Sequence, residues 1–284
     1  MKTFLKVWLG IGLLSIGIGV ALLVIAFTSG ARWEDTVEFI SMSESYSGVE
    51  KIHMDISCGK VNIIKGNGFS ITAENILDNE LKSNVKDGIW YIKEDNSDYA
   101  DIFGIRLPRK AVFLSWNDHF APDITVTIPE DFVAEDFTLK VGAGDVNAEE
   151  INAVTGDFNV DLGRLKINNL NVKEHSSYNI GTGSMILEDI KVKNASFDCG
   201  VGNLEAQGEI TGDSSVKCGV GNIHLKLDGN VDEYSYDIDR GISNVEIIDG
   251  KSYKNISKKH ISNSDSSNYI NFNCGIGNIS VVFD

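Results

Sequence analysis

Three aspartates in the middle of the chain, Asp145, Asp157 and Asp161, come closest in type and spacing to a catalytic site. Carboxylates that converge on one face supply the general acid and base for cleaving polysaccharides. The sequence places no histidine or basic residue reliably beside them, and acidic side chains in an acidic protein are usually solvated. A polysaccharide-active enzyme is therefore the alternative hypothesis. The favoured prediction is that the chain is not an enzyme and has no catalytic residues.

The four cysteines, Cys58, Cys199, Cys218 and Cys274, match no metal or redox motif. None belongs to a Cys-x-x-Cys pair, and no group of cysteines and histidines has zinc spacing. A Cys199–Cys218 disulfide is conceivable by distance, but in-register neighbours on parallel strands rarely offer disulfide geometry. Calcium is a side hypothesis, because Gly142–Asp145 approaches the repeat of calcium-loaded β-rolls once. We predict no cofactor and no metal, with the cysteines acting as small core residues.

A polar insertion, Asp249–Asn268, is locally basic in an otherwise acidic chain. Such a composition suits a contact site for an anionic polymer, for example a wall polysaccharide or teichoic acid. It also suits a solvated loop, which is the favoured interpretation. The residues of this candidate contact patch are Lys251, Lys254, Lys258, Lys259 and His260.

A glycine motif recurs along the chain and would position all of these side chains. From Gly144 the steps between copies are 19, 20, 19, 19, 22 and 34 residues. A period near 20 is typical of a solenoid. The residues predicted to form the corners of this repeat are Gly59, Gly144, Gly163, Gly183, Gly202, Asn203, Gly221, Asn222, Asn244, Gly277 and Asn278.

Apolar and polar residues alternate on both sides of each glycine corner, which indicates strands. In the copy around Gly202, the residues expected to face the core are Phe197, Cys199, Val201, Leu204 and Ala206. The alternation breaks at Gly-Asn, which predicts a bulge or corner with a positive φ. Each copy is then one rung, and rungs stack in parallel about 4.8 Å apart. In the rungs at Gly221 and Gly277, Val220 and Ile276 are likewise expected to face inward.

Corner asparagines of successive rungs are expected to form an amide ladder. Its members would be Asn203, Asn222, Asn244 and Asn278. The rung at Ser243 is irregular, because Arg240 takes the position held by cysteine elsewhere. This arginine either pairs with a nearby aspartate in the interior or, as we favour, lies on a strand that twists outward.

The predicted fold is all-β. Regular rungs of about 19–20 residues form a β-solenoid over residues 131–284, and a more irregular, antiparallel part covers residues 49–130. Within that part, Asp87-Gly88 predicts a hairpin turn. The aromatic-rich insertion 95–122 is expected to shield one end of the solenoid, because an open end exposes unpaired strand edges.

An uncharged apolar segment, Val7–Phe27, predicts one transmembrane helix. It spans 21 residues, or about 32 Å of helix, which matches a hydrocarbon core of about 30 Å. Basic residues precede it and acidic residues follow it, which places residues 1–6 in the cytoplasm, 28–48 in a juxtamembrane linker and 49–284 outside the cell membrane. The alternative is a signal peptide cleaved near Ser29–Ala31, whose apolar core would be unusually long.

The net charge of the chain is −16. Lys2 and Lys6 are the only charged residues before Arg32, so residues 32–284 carry −18. A nucleic-acid partner is disfavoured, because phosphate binding requires a basic surface. The charge is compatible with cation binding or with simple solubility, and we favour solubility.

The stretches Ile52–Ile64 and Asp123–Phe132, followed by the Gly-x-Gly units, resemble the bacterial putative-adhesin domain of unknown function, a family of β-strand repeats. The resemblance covers residues 49–284. It implies a β-solenoid-like, extracytoplasmic or membrane-attached protein with an envelope-related role, and it brings no catalytic residues. We expect a membrane-anchored interaction module, adhesin-like or a sensing or scaffold component, that binds an envelope protein or anionic surface polymer. A self-assembling structural protein is the other alternative.

Overall fold

The computed structural model describes residues 39–77, 80–94, 99–102, 105–108, 121–249, 251–253, 260–263 and 266–283. The chain divides into two units, 1–39 and 40–284, and only Phe39 of the first is described. The described residues contain no helix that is long and apolar enough to span a bilayer. The predicted transmembrane helix, 7–27, lies outside them.

Extended strands account for most of the described residues, so the all-β prediction is confirmed. A short 3-10 helix, Val231–Glu233, precedes β12. The strands are β1 (Phe39–Tyr46), β2 (Lys51–Gly66), β3 (Phe69–Leu77), β4 (Leu81–Lys86), β5 (Ile89–Glu94), β6 (Tyr99–Ile102), β7 (Ile105–Pro108), β8 (Asp123–Pro129), β9 (Ala134–Lys193), β10 (Ala195–Thr211), β11 (Asp213–Leu227), β12 (Tyr234–Asp249), β13 (Lys251–Tyr253), β14 (His260–Ile261) and β15 (Asn268–Phe283).

The middle of the chain coils into the predicted solenoid. The 60-residue strand β9 traces three successive coils, whose corners at Gly144, Gly163 and Gly183 lie on top of one another. Strand β10 pairs in parallel with the last of these coils, and β11 pairs in parallel with β10. Corner glycines stay in register from Gly183 through Gly202 to Gly221.

The last rungs do not stack in sequence order, although the repeat predicted that successive copies would lie on one another. Strand β15 pairs with β11 on one side and with β12 on the other, so it lies between two strands that precede it in the chain. Its corner residue Gly277 faces Gly221 and Ser243. The motif explains this order, because Gly277 continues the column of corner glycines whereas Ser243 ends it.

Glycine is required at these corners because the backbones of successive rungs approach closely. The corner glycines have positive φ, from +135° at Gly59 to +154° at Gly144. A Cβ at Gly277 would lie 1.6 Å from the carbonyl oxygen of Gly221. No side chain fits there unless the backbone moves. Ser243, which lies over Gly277 on the outermost rung, is not among the residues at positive φ, so its backbone differs from that of the glycine corners and can carry a side chain.

Side chains of one kind stack in columns inside the solenoid. The rings of Phe137, Phe158, Tyr178 and Phe197 follow one another with centroids 5.7, 5.2 and 4.9 Å apart. Three buried cysteines form a second column, with Cys199 facing Cys218 and Cys218 facing Cys274. Since buried aromatic rings contribute large apolar areas, the first column is a main source of core stability.

The part of the chain before β9 already contains a rung, although residues 49–130 were expected to be irregular. Strand β2 pairs in parallel with the first coil of β9, with Gly59 facing Gly144. The other edge of β2 pairs in parallel with two strands: β5 pairs with the first half of β2, and β8 pairs with its second half. At the gap between them, the carboxylate of Glu94 accepts hydrogen bonds from the backbone N–H groups of Ser57 and Cys58, at 2.8 and 3.2 Å.

Antiparallel pairs surround this first rung, as expected. Strand β3 pairs with β8, and β4 pairs with β5 through a turn in which Asp87 and Gly88 both have positive φ. The predicted linker 28–48 contains strand β1, which lies beside β3 in the sheet. Of the insertion 95–122, strands β6 and β7 form a separate two-stranded sheet, and residues 109–120 lie outside the described part.

The glycine column makes a testable prediction about stability. In Gly221→Ala, the new Cβ would lie 1.7 Å from the carbonyl oxygen of Gly202 at a φ of +148°. The strained φ costs about 1–3 kcal/mol, and we expect the clash to bring the total loss above about 4 kcal/mol in urea denaturation. Gly48→Ala is the matched control, because Gly48 has a φ of +71° with nothing within 4 Å. Equal losses in the two variants would contradict the role assigned to close stacking.

Candidate functional site

The predicted corner residues line up along one side of the solenoid. The Nδ2 of Asn222 donates to Oδ1 of Asn203 at 3.0 Å, and the Nδ2 of Asn278 donates to Oδ1 of Asn222 at 2.9 Å. Asn244 is in register with Asn278 on the outermost rung. The amide ladder therefore runs through Asn278 before Asn244, following the rung order rather than the sequence.

The residue between the two glycines of each motif faces solvent. The prediction that Val201, Val220 and Ile276 face the core is therefore wrong. The exposed fractions of Val201, Val220 and Ile276 are 50%, 46% and 52%. Cys199 and Leu204 on either side are buried, so the corner begins at Gly200 and keeps four residues outside the core. The inward alternation before the corner therefore ends at Cys199, rather than at Val201 as predicted.

Equivalent residues of six rungs form one exposed column, which we call the corner ridge. Parallel pairing places Thr182 beside Val201, Val201 beside Val220, and Ile276 between Val220 and Ile242. Ile242 on the outermost rung is 81% exposed. In stacking order the corner ridge consists of Leu162, Thr182, Val201, Val220, Ile276 and Ile242.

Uncharged columns border the corner ridge on both sides over its last five rungs. One border is made of glycines, namely Gly181, Gly200, Gly219, Gly275 and Gly241. The other border is made of Ser184, Asn203, Asn222, Asn278 and Asn244. Charged residues return just outside these borders, for example Asp198 and Glu205 on one rung and Arg240 on the outermost rung. In a protein with a net charge of −16, this strip is a neutral, partly apolar surface.

The three aspartates considered for catalysis each contact a different neighbour. Asp145 forms an ion pair with Arg164 at 3.4 Å. Asp157 accepts a hydrogen bond from the Ser177 hydroxyl at 3.0 Å, whereas Asp161 accepts one from Nδ2 of Asn159 at 3.1 Å. These contacts hold the carboxylates on separate partners. Within the described ranges, no three histidine, cysteine or acidic side chains form a group able to hold a metal.

The basic insertion borders the outermost rung. Lys251 on β13 pairs with Asp249 near one end of β12, and His260 on β14 pairs with Asp237 near the other end, both antiparallel. Lys254, Lys258 and Lys259 lie outside the described residues, as do the side chains of Lys251, His260 and Arg240. The described backbone therefore places the two ends of this patch along the outer edge of β12.

The stacked cysteines are held as neutral thiols. Burial, together with the adjacent thiols of Cys199 and Cys274, raises the pKa of Cys218 to about 12. Burial also raises the pKa of both neighbours. All four cysteines, including Cys58, are buried. Because the thiolate is the reactive form, this column has the properties of a core element rather than of a redox site.

Thiol reactivity tests this description. We expect iodoacetamide to leave all four cysteines of the native protein unmodified at neutral pH, because all four are buried and the raised pKa values of Cys199, Cys218 and Cys274 keep these three thiols protonated. In urea all four are expected to react, and mass spectrometry of the intact protein counts the adducts. Rapid modification of Cys218 in the native protein would show that the column is accessible.

A polar cluster connects β2 with the first two coils of β9. The Oδ2 of Asp136 lies 2.9 Å from Nε2 of His53, and Oδ1 accepts a hydrogen bond from the Thr155 hydroxyl at 2.7 Å. The Thr138 hydroxyl also donates to Asp136, at 3.1 Å. Burial alone would raise the pKa of Asp136, but these hydrogen bonds and the charge of His53 outweigh it and lower the pKa below its ordinary value of 3.8.

The lowered pKa of Asp136 predicts a pH dependence of stability. The ionised carboxylate stabilises the fold above the ordinary pKa of 3.8, and this contribution is lost as pH falls through the lower folded value. We expect Asp136→Asn to be less stable at neutral pH and to lose less stability than the wild type on acidification below pH 3.8. Thr155→Val, which removes one donor, should shift the profile in the same direction. Urea denaturation across this pH range measures both, and superimposable wild-type and Asp136→Asn profiles would contradict the assignment.

Solved structures of several bacterial proteins are similar to this chain at low sequence identity. A structure described as a putative adhesin from Bacteroides fragilis has 14% identity and a TM-score of 0.42, over 86% of this chain and 97% of that one. A putative cell adhesion protein from Clostridium sporogenes has 15% identity and a TM-score of 0.36, over 87% and 100%. A putative lipid binding protein from Parabacteroides distasonis has 12% identity and a TM-score of 0.30, over 86% and 96%.

No protein with a curated description matches the chain. The family model described as Toastrack DUF4097 matches residues 49–281, which include every corner glycine and corner asparagine. This match confirms the resemblance drawn from the repeats: the chain belongs to the Toastrack DUF4097 family.

Proposed function

We propose that this protein is a non-enzymatic interaction module, anchored in the cell membrane by residues 7–27, whose solenoid binds another component of the cell envelope. It acts as an adhesin-like protein or as a sensing or scaffold component. The observation that carries the proposal is the corner ridge, an exposed apolar column in which Val201, Val220 and Ile276 are each about half exposed.

Folding does not explain the apolar character of this column. The stacking of rungs requires glycine beside the ridge, but the ridge side chains themselves point into solvent, where serine or threonine would serve equally well. Thr182 occupies the same column and illustrates this tolerance. Contiguous exposed apolar surface that the fold does not need is characteristic of binding sites.

The extracytoplasmic location has two supports. The apolar segment 7–27 follows two lysines and precedes acidic residues, so the positive-inside rule puts the solenoid on the outer side. The burial of all four cysteines agrees with an oxidising compartment, where exposed free thiols form disulfides. A solenoid held outside the membrane presents its long regular side to other envelope components.

Photo-crosslinking of the full-length protein in intact cells tests the proposal. A photoreactive residue is placed at Val220 on the ridge or, as a matched control, at Val133, which is 40% exposed and lies before the first coil of β9. We expect a discrete crosslinked product from position 220 and none of the same size from position 133. Identical products from both positions, or no product from position 220, would reject the ridge as the binding surface.

A further inference from the structure

We propose that the corner ridge binds a neutral β-linked glycan chain that lies along the solenoid axis. The inference rests on the proposed function and specifies the partner of the same surface. It is carried by the dimensions of the ridge, by the absence of charge on its two borders and by the hydrogen-bonding capacity of the amide ladder.

The size of the ridge favours a narrow partner. Six rungs at about 4.8 Å spacing give a length of about 24 Å, and four residues across a corner give a width of roughly 13 Å. The resulting area of roughly 310 Å² is well below the ~800 Å² that each partner buries in a stable complex of folded proteins. The strip therefore suits an extended chain better than a second copy of the solenoid or another globular protein.

The charge of the strip favours a neutral partner. The five rungs from Gly181–Ser184 to Gly241–Asn244 carry no charged residue in the ridge or its borders. The basic residues beside the strip, Lys217 and Arg240, lie outside its borders, and an anionic polymer would be repelled by a chain whose residues 32–284 carry −18. A cationic polymer would be attracted to the carboxylates elsewhere on the surface, away from the ridge.

The chemistry of the strip is that of a carbohydrate-binding surface. A β-linked sugar presents C–H groups on the faces of its ring and hydroxyl groups around its edge. The aliphatic side chains at positions 201, 220 and 276 can pack against the ring faces. Asn222 and Asn278 each donate one of their two amide hydrogens to the asparagine of the preceding rung, which leaves the second hydrogen to donate to a hydroxyl. The glycine border has no side chains and lets the chain approach the backbone.

An extended peptide is a poorer fit to the same strip. Peptides that bind sheets do so by pairing with free backbone groups at an edge. Along the ridge, the rungs of β10, β11 and β15 are paired with one another in parallel, so their backbone groups point along the axis to the neighbouring rung. Recognition at the ridge therefore depends on side chains, which suits a polymer that carries hydroxyl groups along its whole length.

Titration of the full-length protein in detergent micelles with cellohexaose and chitohexaose tests the inference. We expect saturable binding of at least one of these neutral hexasaccharides, and binding of its disaccharide at least about tenfold weaker, because fewer rungs are contacted. Val220→Asp and Val220→Lys should each weaken binding by about tenfold or more, since either charge disrupts a neutral contact. Val133→Asp, on an exposed valine away from the ridge, should bind like the wild type.

Three outcomes would overturn the glycan assignment. The first is that neither hexasaccharide binds. The second is that binding survives both substitutions at Val220 while their melting temperatures match the wild type. The third is that Val220→Lys gains affinity for polygalacturonate, which would indicate an anionic ligand. If crosslinking from position 220 still captures a discrete envelope component in any of these cases, the interaction module stands and only the chemistry of its partner changes.

Discussion

The architecture depends on one close contact, the approach of each corner to the backbone of the rung beneath it. At Gly163, Gly183 and Gly202 a Cβ would lie 1.8 Å from the carbonyl oxygen of the preceding corner glycine. Because the corner glycines from Gly144 to Gly277 all meet this constraint, the rungs stay in register, and similar side chains fall above one another in the aromatic, cysteine and asparagine columns. The same register brings the residues between the glycines into the corner ridge, so the constraint that stabilises the fold also builds the proposed binding surface.

Much of this could be predicted from the sequence, because local residue types determine it. Glycine spacing gives the corners and the period, alternation gives the strands, and Asp87-Gly88 gives a hairpin turn. The outward position of Val201 could not be predicted from alternation, because Phe197, Cys199 and Val201 are apolar at every second position and suggest that all three face the core. The pair Gly200 and Gly202 could have indicated that Val201 faces outward. Two glycines separated by a single residue favour a corner four residues long rather than a single bulge.

Features that depend on contacts distant in sequence could not be predicted in the same way. His53 and Asp136 are 83 residues apart, and Glu94 reaches the backbone of Ser57 and Cys58 across two strands. The position of β15 between β11 and β12 depends on which of two strands fits better over Gly221. The steps of 22 and 34 residues marked these rungs as irregular, but only a comparison of the corners, glycine against serine, decides the order.

The insertion of β15 between two earlier strands also determines when the stack can be completed. Coils from β9 to β11 can add one after another as the chain emerges during synthesis or export, each on a finished surface. Strand β12 emerges next, yet its partner in the sheet is β15, which begins only at Asn268, after the insertion that follows Asp249. Until β15 arrives, the open surface of the stack is the backbone edge of β11, which has no pairing strand in its native order. Completion of the stack is therefore a late step, and a nascent chain paused before Asn268 leaves this surface open to folding factors and proteases.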